Sequence, residues 1–258
     1  MMGTEGEARW SKLTRDRIAE LAKHAPVLIQ PIGAIEQHGP HLTVDTDACG
    51  VTAIAEQVAA NLGPTQALVL PTIAWGLSPY WLPFAGTISL RPETILAVMA
   101  DIGRSVAAHG FRQMLILNGH GGNAGIIAVV ATQMADLGIR AVALPYWAVA
   151  GEDLGKLAPA DLGHIGHAGQ TETSIQLHLQ SEVVGTGYRD VSTWADLGPL
   201  LGGLSMPGAY APPLPALESP NGVYGNPTKA SAEIGEAIID LVVERLGAYV
   251  MAFAAQPV

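Results

Sequence analysis

Hydrophobic and polar positions along the chain follow two different periods, and the change of period separates strands from helices. Short runs of mostly apolar residues predict buried strands, because a strand covered on both faces has no solvated side. The four predicted strands span residues 27–32, 67–70, 113–117 and 139–144.

Apolar positions that recur every three or four residues predict amphipathic helices around these strands. Gly63 and Pro64 close one of them, and Pro92 opens another that Gly110 ends. The predicted helices span residues 14–23, 48–62, 92–109, 125–137, 171–180 and 230–253.

The alternation of strands and helices predicts an α/β fold with a mostly parallel sheet covered by helices on both faces. A chain of 258 residues can bury a core of several layers. We expect one domain over residues 1–258. In such sheets ligands collect at the carboxyl ends of the strands.

Three side chains of the metal-ligand type follow the first predicted strand within twelve residues. Glu36 and His38 are two positions apart, so both point to the same side of an extended chain. The turn at Gly39 and Pro40 can bring Asp47 back toward that point before a helix begins near residue 48. Two carboxylates and an imidazole would repel and dehydrate one another unless a cation lay between them. This stretch predicts half of a divalent metal site.

Two later residues could complete the site. His120 lies among glycines, where the backbone can approach a ligand closely, although a helix cap or a surface position would explain it equally. Glu172 lies near a predicted helix start, where it could simply complement the helix dipole. Together with the first three, these residues provide two imidazoles and three carboxylates. Three carboxylates balance two divalent cations and one bridging hydroxide.

The connection over residues 71–86 is long and aromatic. Connections of this length are usually functional or disordered, and so much aromatic surface disfavours disorder. We expect Trp75, Tyr80 and Trp81 to wall a substrate pocket, with Asn118 as a further substrate contact. The alternative, that the aromatic side chains only fill a gap under a loop, stays open.

Composition narrows the partners and the location. Hydrophobic residues make up 49% of the chain and charged residues 14%, an excess of apolar surface that subunit contacts would explain. The net charge of -10 argues against nucleic acid. Charged residues interrupt even the apolar C-terminal segment, so no membrane span is expected. A single cysteine and an N-terminus without an apolar signal core favour the cytoplasm.

Three blocks of sequence occur in a recognisable order. The first reads Glu-Gln-His-Gly-Pro-His-Leu and then Asp-Thr-Asp within residues 36–47, the second Asn-Gly-His-Gly-Gly-Asn at 118–123, and the third His-Ala-Gly-Gln-Thr-Glu-Thr-Ser at 167–174. A weaker fourth block lies at 222–227. Together they resemble the creatininase (creatinine amidohydrolase) family over nearly the whole chain.

The resemblance implies a three-layer α/β/α sandwich and two divalent metal ions per subunit, Zn²⁺ with Mn²⁺, Fe²⁺ or a second Zn²⁺. It also implies a homo-oligomer, often a hexamer. Carried over by position, Glu36 and His120 would bind one ion, His38 and Glu172 the other, and Asp47 would bridge them.

His167 matches the proton-transferring histidine of the family, and we expect it to act in catalysis with Glu172. Two departures concern the substrate. Residues 163–166 stand where creatininase has a tryptophan and a glutamate, and Gly122 replaces a second-site glutamate. The metal ligands are intact, whereas the contacts to creatinine are not.

The main hypothesis is therefore an amidohydrolase that cleaves a small cyclic amide, formamide or similar substrate. A hydroxide between two metal ions would attack the amide carbon, and His167 would pass a proton to the departing nitrogen. One alternative is a peptide-trimming metallopeptidase of the same family. Another is a non-catalytic, metal-dependent binding or assembly protein.

Overall fold

A computed structural model describes residues 6–161, 166–188, 219 and 221–256. Four parallel strands form its sheet in the order β2-β1-β3-β4. The strands are β1 (Val27–Ile32), β2 (Ala67–Val69), β3 (Gln113–Asn118) and β4 (Arg140–Pro145). The predicted parallel sheet is confirmed, and each strand end lies within a residue of its predicted position.

Seven α-helices accompany the sheet in the described part of the chain. They are α1 (Arg15–Ala22), α2 (Thr46–Leu62), α3 (Pro92–Ala108), α4 (Ala124–Asp136), α5 (Glu152–Leu157), α6 (Gln170–Gln180) and α7 (Ala232–Ala254). None of the helices that can be described is long and apolar enough to cross a membrane.

The helices form two layers around the sheet. Helix α2 packs on β1 and β2 and contacts α6 and α7, whereas α4 packs on β3 and β4 and contacts α3. The reason is topological: β1-α2-β2 and β3-α4-β4 run toward opposite edges. Right-handed crossovers therefore place their helices on opposite faces. The fold is the expected three-layer α/β/α sandwich.

Two elements differ from the sequence-based prediction. Helix α2 begins at Thr46, so Asp47 lies in its first turn and not in the turn before it. Helix α5 lies between β4 and α6, where no helix was predicted. Arg245 of α7 donates hydrogen bonds to the carbonyls of Val149 and Ala150 and pairs with Asp153, a tertiary contact that periodicity does not reveal. Residues 163–165, part of the stretch that departs from creatininase, lie outside the described residues.

Gly33 allows the start of α2 to lie directly against the end of β1. A Cβ atom at Gly33 would lie 2.6 Å from both the backbone N and the Cα of Ala48. Contacts this short between a side chain and backbone cannot be relieved by rotating a side chain. The close approach places Asp47 beside the chain that leaves β1.

We expect Gly33→Ala to destabilise the protein by about 1–3 kcal/mol, because the added methyl group must push α2 away from the sheet. The matched control is Gly125→Ala in α4, where a Cβ would meet no atom within 4 Å. That change should be neutral or stabilising by up to about 1 kcal/mol. Urea unfolding compares the two, and equal stabilities would contradict the prediction.

Candidate metal centre

The candidate site lies where the order of the strands reverses. Strands β1 and β3 are neighbours, and the chain leaves them toward opposite edges of the sheet. Glu36 and His38 follow β1, and His120 follows β3, while Asp47 and Glu172 lie in the first turns of α2 and α6. In open α/β sheets this crevice is the usual ligand site.

The five predicted side chains meet there in two groups that share Asp47. In the first, Nδ1 of His120 lies 3.3 Å from Oε1 of Glu36 and 3.0 Å from Oδ2 of Asp47. In the second, Nε2 of His38 lies 3.1 Å from Oδ1 of Asp47 and 3.6 Å from Oε2 of Glu172. The two oxygens of Asp47 therefore face different imidazoles.

The donor atoms are buried and poorly satisfied. Both carboxylate oxygens of Glu36, Oδ2 of Asp47 and Nε2 of His38 are buried without a hydrogen-bond partner among the described residues. Such groups are costly unless something else pairs with them. Donors around a tetrahedral ion bound at 2.0–2.1 Å lie about 3.3 Å apart, close to the separations seen here. The residues fit divalent cations.

The pKa values of His38 and His120 also indicate a site for positive charge. Burial disfavours a charged ring at His38 and His120, but the carboxylates beside each ring outweigh burial and raise the pKa of both well above the usual value. For His38 the carboxylates belong to Asp47 and Glu172, and for His120 to Glu36 and Asp47. The cluster therefore attracts positive charge.

The hydrogen-bond partners of Nε2 fix the tautomer of His120. Nε2 lies 3.1 Å from the carbonyl oxygen of Leu77, which can only accept a hydrogen bond. The hydroxyls of Ser78 and Tyr80 lie 3.2 and 3.3 Å from the same atom. With the proton on Nε2, the lone pair of Nδ1 points toward Glu36 and Asp47. Metal-binding histidines are commonly oriented in this manner.

His167 lies between two rings at the edge of the cluster. The ring of Trp81 stacks on one side with centroids 4.3 Å apart, and His38 lies on the other side, also at 4.3 Å. Nε2 of His167 lies 2.8 Å from the carbonyl oxygen of Gln37, which can only accept, and 2.9 Å from the side-chain nitrogen of Gln37. Donation to the carbonyl leaves a lone pair on Nδ1, 3.5 Å from Oε1 of Glu36. Burial and the charge of His38 lower the pKa of His167 well below its usual value. His167 is therefore a neutral base directed at the cluster.

The predicted substrate contacts occupy different positions. Tyr80 lies beside His120 and is partly exposed, and Trp75 is 48% exposed. Trp81 is only 3% exposed, behind His167. Asn118 is fully buried, and its amide bonds the backbone N–H and carbonyl of His120. Trp81 and Asn118 thus contact the histidines, and substrate contact stays a prediction for all four residues.

Sequence reasoning missed Gln37 as part of the site. Its Nε2 donates to the carbonyl of Gly222 at 2.9 Å, and its Oε1 accepts from the N–H of Gly39 at 2.9 Å. A Cβ atom at Gly222, where φ is +76°, would lie 1.9 Å from Oε1 of Gln37. Glycine is therefore required there. The sequence signal was the position of both residues inside the first and fourth family-like blocks.

Asp161 was missed as well, and it holds the helix that carries Glu172. The buried carboxylate of Asp161 accepts from the N–H groups of Gln170 at 2.9 Å and of Thr171 at 2.7 Å. Gly169, the residue before α6, provides no side-chain cap of its own. The carboxylate of Glu172 also accepts from the N–H of Ala168 at 2.5 Å, which closes the same turn. No local sequence pattern indicates a cap nine residues away.

Comparisons with known proteins agree with this geometry. The family model described as "Creatinine amidohydrolase" matches residues 11–250. A relative named "Mycofactocin precursor peptide peptidase", from Mycobacterium ulcerans (strain Agy99), is 37% identical over 232 residues, covering 88% of this chain and 85% of its own length. The "Creatinine amidohydrolase" of Pseudomonas putida is 31% identical over 255 residues, covering 93% of this chain and 92% of its own.

Solved creatininase structures share the fold. One described as "Creatininase Mn" matches with a TM-score of 0.77 and 28% identity, covering 95% of this chain and 98% of that one. A creatininase variant described as "Zn-Zn type" has a TM-score of 0.76 and 28% identity, with the same coverage of 95% and 98%. Divalent metal ions thus occur in related proteins that share this fold.

We expect Asp161→Ala to cost about 1–2 kcal/mol of stability, because two N–H groups at the start of α6 lose their acceptor. Asp161→Asn keeps one side-chain oxygen as an acceptor and should cost less. The matched control is Asp136→Ala at the exposed end of α4, where little change is expected. Urea unfolding measures all three. Equal stability of the two alanine variants would contradict the capping role.

Proposed function

The chain belongs to the creatininase (creatinine amidohydrolase) family of hydrolases that act on carbon–nitrogen bonds, and on this premise we propose that it is a dinuclear metal-dependent amidohydrolase. One observation carries the proposal: Asp47 directs one oxygen to each of two ligand groups. Glu36 and His120 would hold one ion, and His38 and Glu172 the other, with Asp47 between them.

The donor types narrow the choice of metal. All five side chains offer nitrogen or oxygen, and no thiolate is among them. Imidazole and carboxylate donors suit zinc, manganese and iron. We therefore propose Zn²⁺ paired with Mn²⁺, Fe²⁺ or a second Zn²⁺, in keeping with the Zn-Zn and Mn forms of the related structures.

The proposed reaction adds water across an amide C–N bond to give a carboxylic acid and an amine. Bound divalent ions would polarise the amide carbonyl and lower the pKa of water from 15.7 to about 7. His167 accepts the proton of the attacking water on Nδ1 and passes it to the departing nitrogen. The carbonyl of Gln37 keeps Nε2 of His167 protonated, so that Nδ1 is the atom that exchanges protons. Trp81, stacked on the ring, keeps bulk water from that face.

Two substrate classes are compatible with this chemistry, a small amide and a peptide. A side chain at position 122 has no room, because a Cβ would lie 2.3 Å from Oη of Tyr80 and 2.4 Å from the carbonyl oxygen of Leu77. The second-site glutamate expected of a creatininase therefore cannot be accommodated, which argues against creatinine. The higher identity to peptide peptidases, 37% against 31%, favours a peptide. We propose peptide trimming as the favoured activity, with hydrolysis of a small cyclic amide or formamide as the second candidate.

The proposal also covers the oligomeric state and the location of the protein. Trp75, Leu82 and Ile88, all between β2 and α3, expose apolar side chains at 48%, 57% and 53%. Apolar exposure on one segment supports subunit contacts. We propose a homo-oligomer, a hexamer by family resemblance, that works in the cytoplasm.

The ligand assignment predicts the metal content. Wild-type protein, stripped with chelator and reloaded with Zn²⁺, should hold two ions per chain by elemental analysis. His120→Ala should lose at least one ion and nearly all turnover. His109→Ala, at the exposed end of α3, is the matched control and should keep both ions. Saturation of the wild type at one ion would contradict a dinuclear centre, and two ions in an active His120→Ala would contradict the assignment of His120.

The role of His167 predicts a separation of metal content from turnover. In His167→Ala we expect kcat to fall by about 10²–10⁴, because the proton acceptor is lost, while both ions stay bound. Activity assays and elemental analysis on the same preparation measure both quantities. Loss of an ion would mean that His167 is a ligand and would overturn its assignment as a proton acceptor.

A substrate panel decides between the two classes. The reloaded enzyme is assayed against cyclic amides, formamides and short peptides, with chelator inhibition and metal reversal as the control for each hit. Metal-dependent release of residues from a peptide terminus is the expected result. Turnover of cyclic amides or formamides without any of the peptides would favour the second candidate instead.

A further inference from the structure

A small cavity lies behind the candidate metal centre. It is lined by Thr46, Asp47, Gly50, Tyr146, Glu172, Ile175 and Gln176. Two of these residues, Asp47 and Glu172, are proposed metal ligands. The cavity therefore contacts the ligand side chains from the side of α2, α6 and the segment that follows β4.

Tyr146 is the unexplained group in this wall. Tyr146 is the first residue after β4, and it is only 4% exposed. No described residue forms a hydrogen bond with its hydroxyl, although a buried hydroxyl almost always has a partner. Burial, and then the carboxylates of Glu172 and Asp47, raise the pKa of Tyr146 well above its usual value. The hydroxyl is therefore a neutral donor near two carboxyl groups.

Glu172 has an oxygen without a hydrogen bond among the described residues. Its Oε2 accepts from the N–H of Ala168 and faces His38. Its other oxygen, Oε1, accepts no hydrogen bond from the residues that the structure describes. A donor in the cavity would complete the coordination of this carboxylate and fix its rotation.

The volume of the cavity matches one water molecule. It amounts to about 10 Å³ for the positions open to the centre of a water. One buried water needs roughly 10–15 Å³ by this measure and two to four polar partners. Tyr146, Glu172 and Gln176 are lining residues whose side chains carry polar groups. An organic ligand is too large for this space.

We propose that one ordered water in this cavity bridges the Tyr146 hydroxyl and Oε1 of Glu172. Tyr146 is then a positioning residue for the metal site of His38 and Glu172, which we call the second site. The tyrosine O–H donates to the water, and the water donates to the carboxylate. Hydrogen bonds from such outer residues orient metal-binding carboxylates and typically change metal affinity by about 10- to 100-fold. The inference rests on the proposed function, because it takes Glu172 as a metal ligand.

Tyr146→Phe tests the proposal, because it removes the donor and keeps the ring. The control is Tyr249→Phe on α7, where the side chain is 38% exposed. Zinc affinities are measured by competition with a chromophoric chelator, and thermal unfolding shows that each variant is folded. In Tyr146→Phe we expect the dissociation constant of the Zn²⁺ held by His38 and Glu172 to rise about 10-fold or more. The dissociation constant of the Zn²⁺ held by Glu36 and His120 should stay unchanged. A high-resolution crystal structure of the wild type should show the water.

The outcomes separate this inference from the proposed function. A wild-type crystal without a water in the cavity, or a folded Tyr146→Phe with unchanged affinity for both zinc ions, would overturn the role of Tyr146 and leave the dinuclear centre intact. Failure of the wild type to bind a second Zn²⁺ would overturn the dinuclear centre and the inference with it.

Discussion

Negative charge confined in a buried space is the constraint on which the rest of this structure depends. Glu36, Asp47 and Glu172 are each less than a tenth exposed, and Asp47 shares the imidazole of His120 with Glu36 and that of His38 with Glu172. Carboxylates so placed repel one another and lose their hydration, so the arrangement is stable only with positive charge among them. Protons on His38 and His120 can provide that charge, and divalent cations can replace them.

The scaffold meets this constraint by fixing each ligand at the end of a regular element. Strands β1 and β3 bring two ligand segments to one edge of the sheet, and the first turns of α2 and α6 bring two more carboxylates. Gly33 permits the contact between β1 and α2, and Asp161 holds the start of α6. The side chain of Asn123 joins the chain after β1 to the connection after β2, because it donates to the carbonyl of Gly33 and accepts from the N–H of Leu77. Rigid support of this kind keeps a metal centre in its working geometry.

The same small volume shifts the pKa values of three histidines in opposite directions. His38 and His120 lie beside carboxylates, which raise their pKa values. His167 lies between aromatic rings and donates to a backbone carbonyl, so burial dominates and its pKa falls. Opposite shifts in neighbouring groups are typical of sites that divide binding from proton transfer. The opposite pKa shifts follow from what lies beside each ring, carboxylates for His38 and His120 and aromatic rings for His167.

The sequence by itself determined the sheet, its parallel direction and six of the helices, because the period of apolar positions records which side of each element is buried. It also placed metal-ligand side chains at strand and helix ends, and its three blocks indicated the family. The hydrogen bond between His167 and the carbonyl of Gln37, 130 residues apart, was decided only by the tertiary structure, as were the cap from Asp161 and the cavity that Tyr146 shares with Glu172. These contacts depend on where distant segments meet in space, and a local pattern carries no record of that meeting.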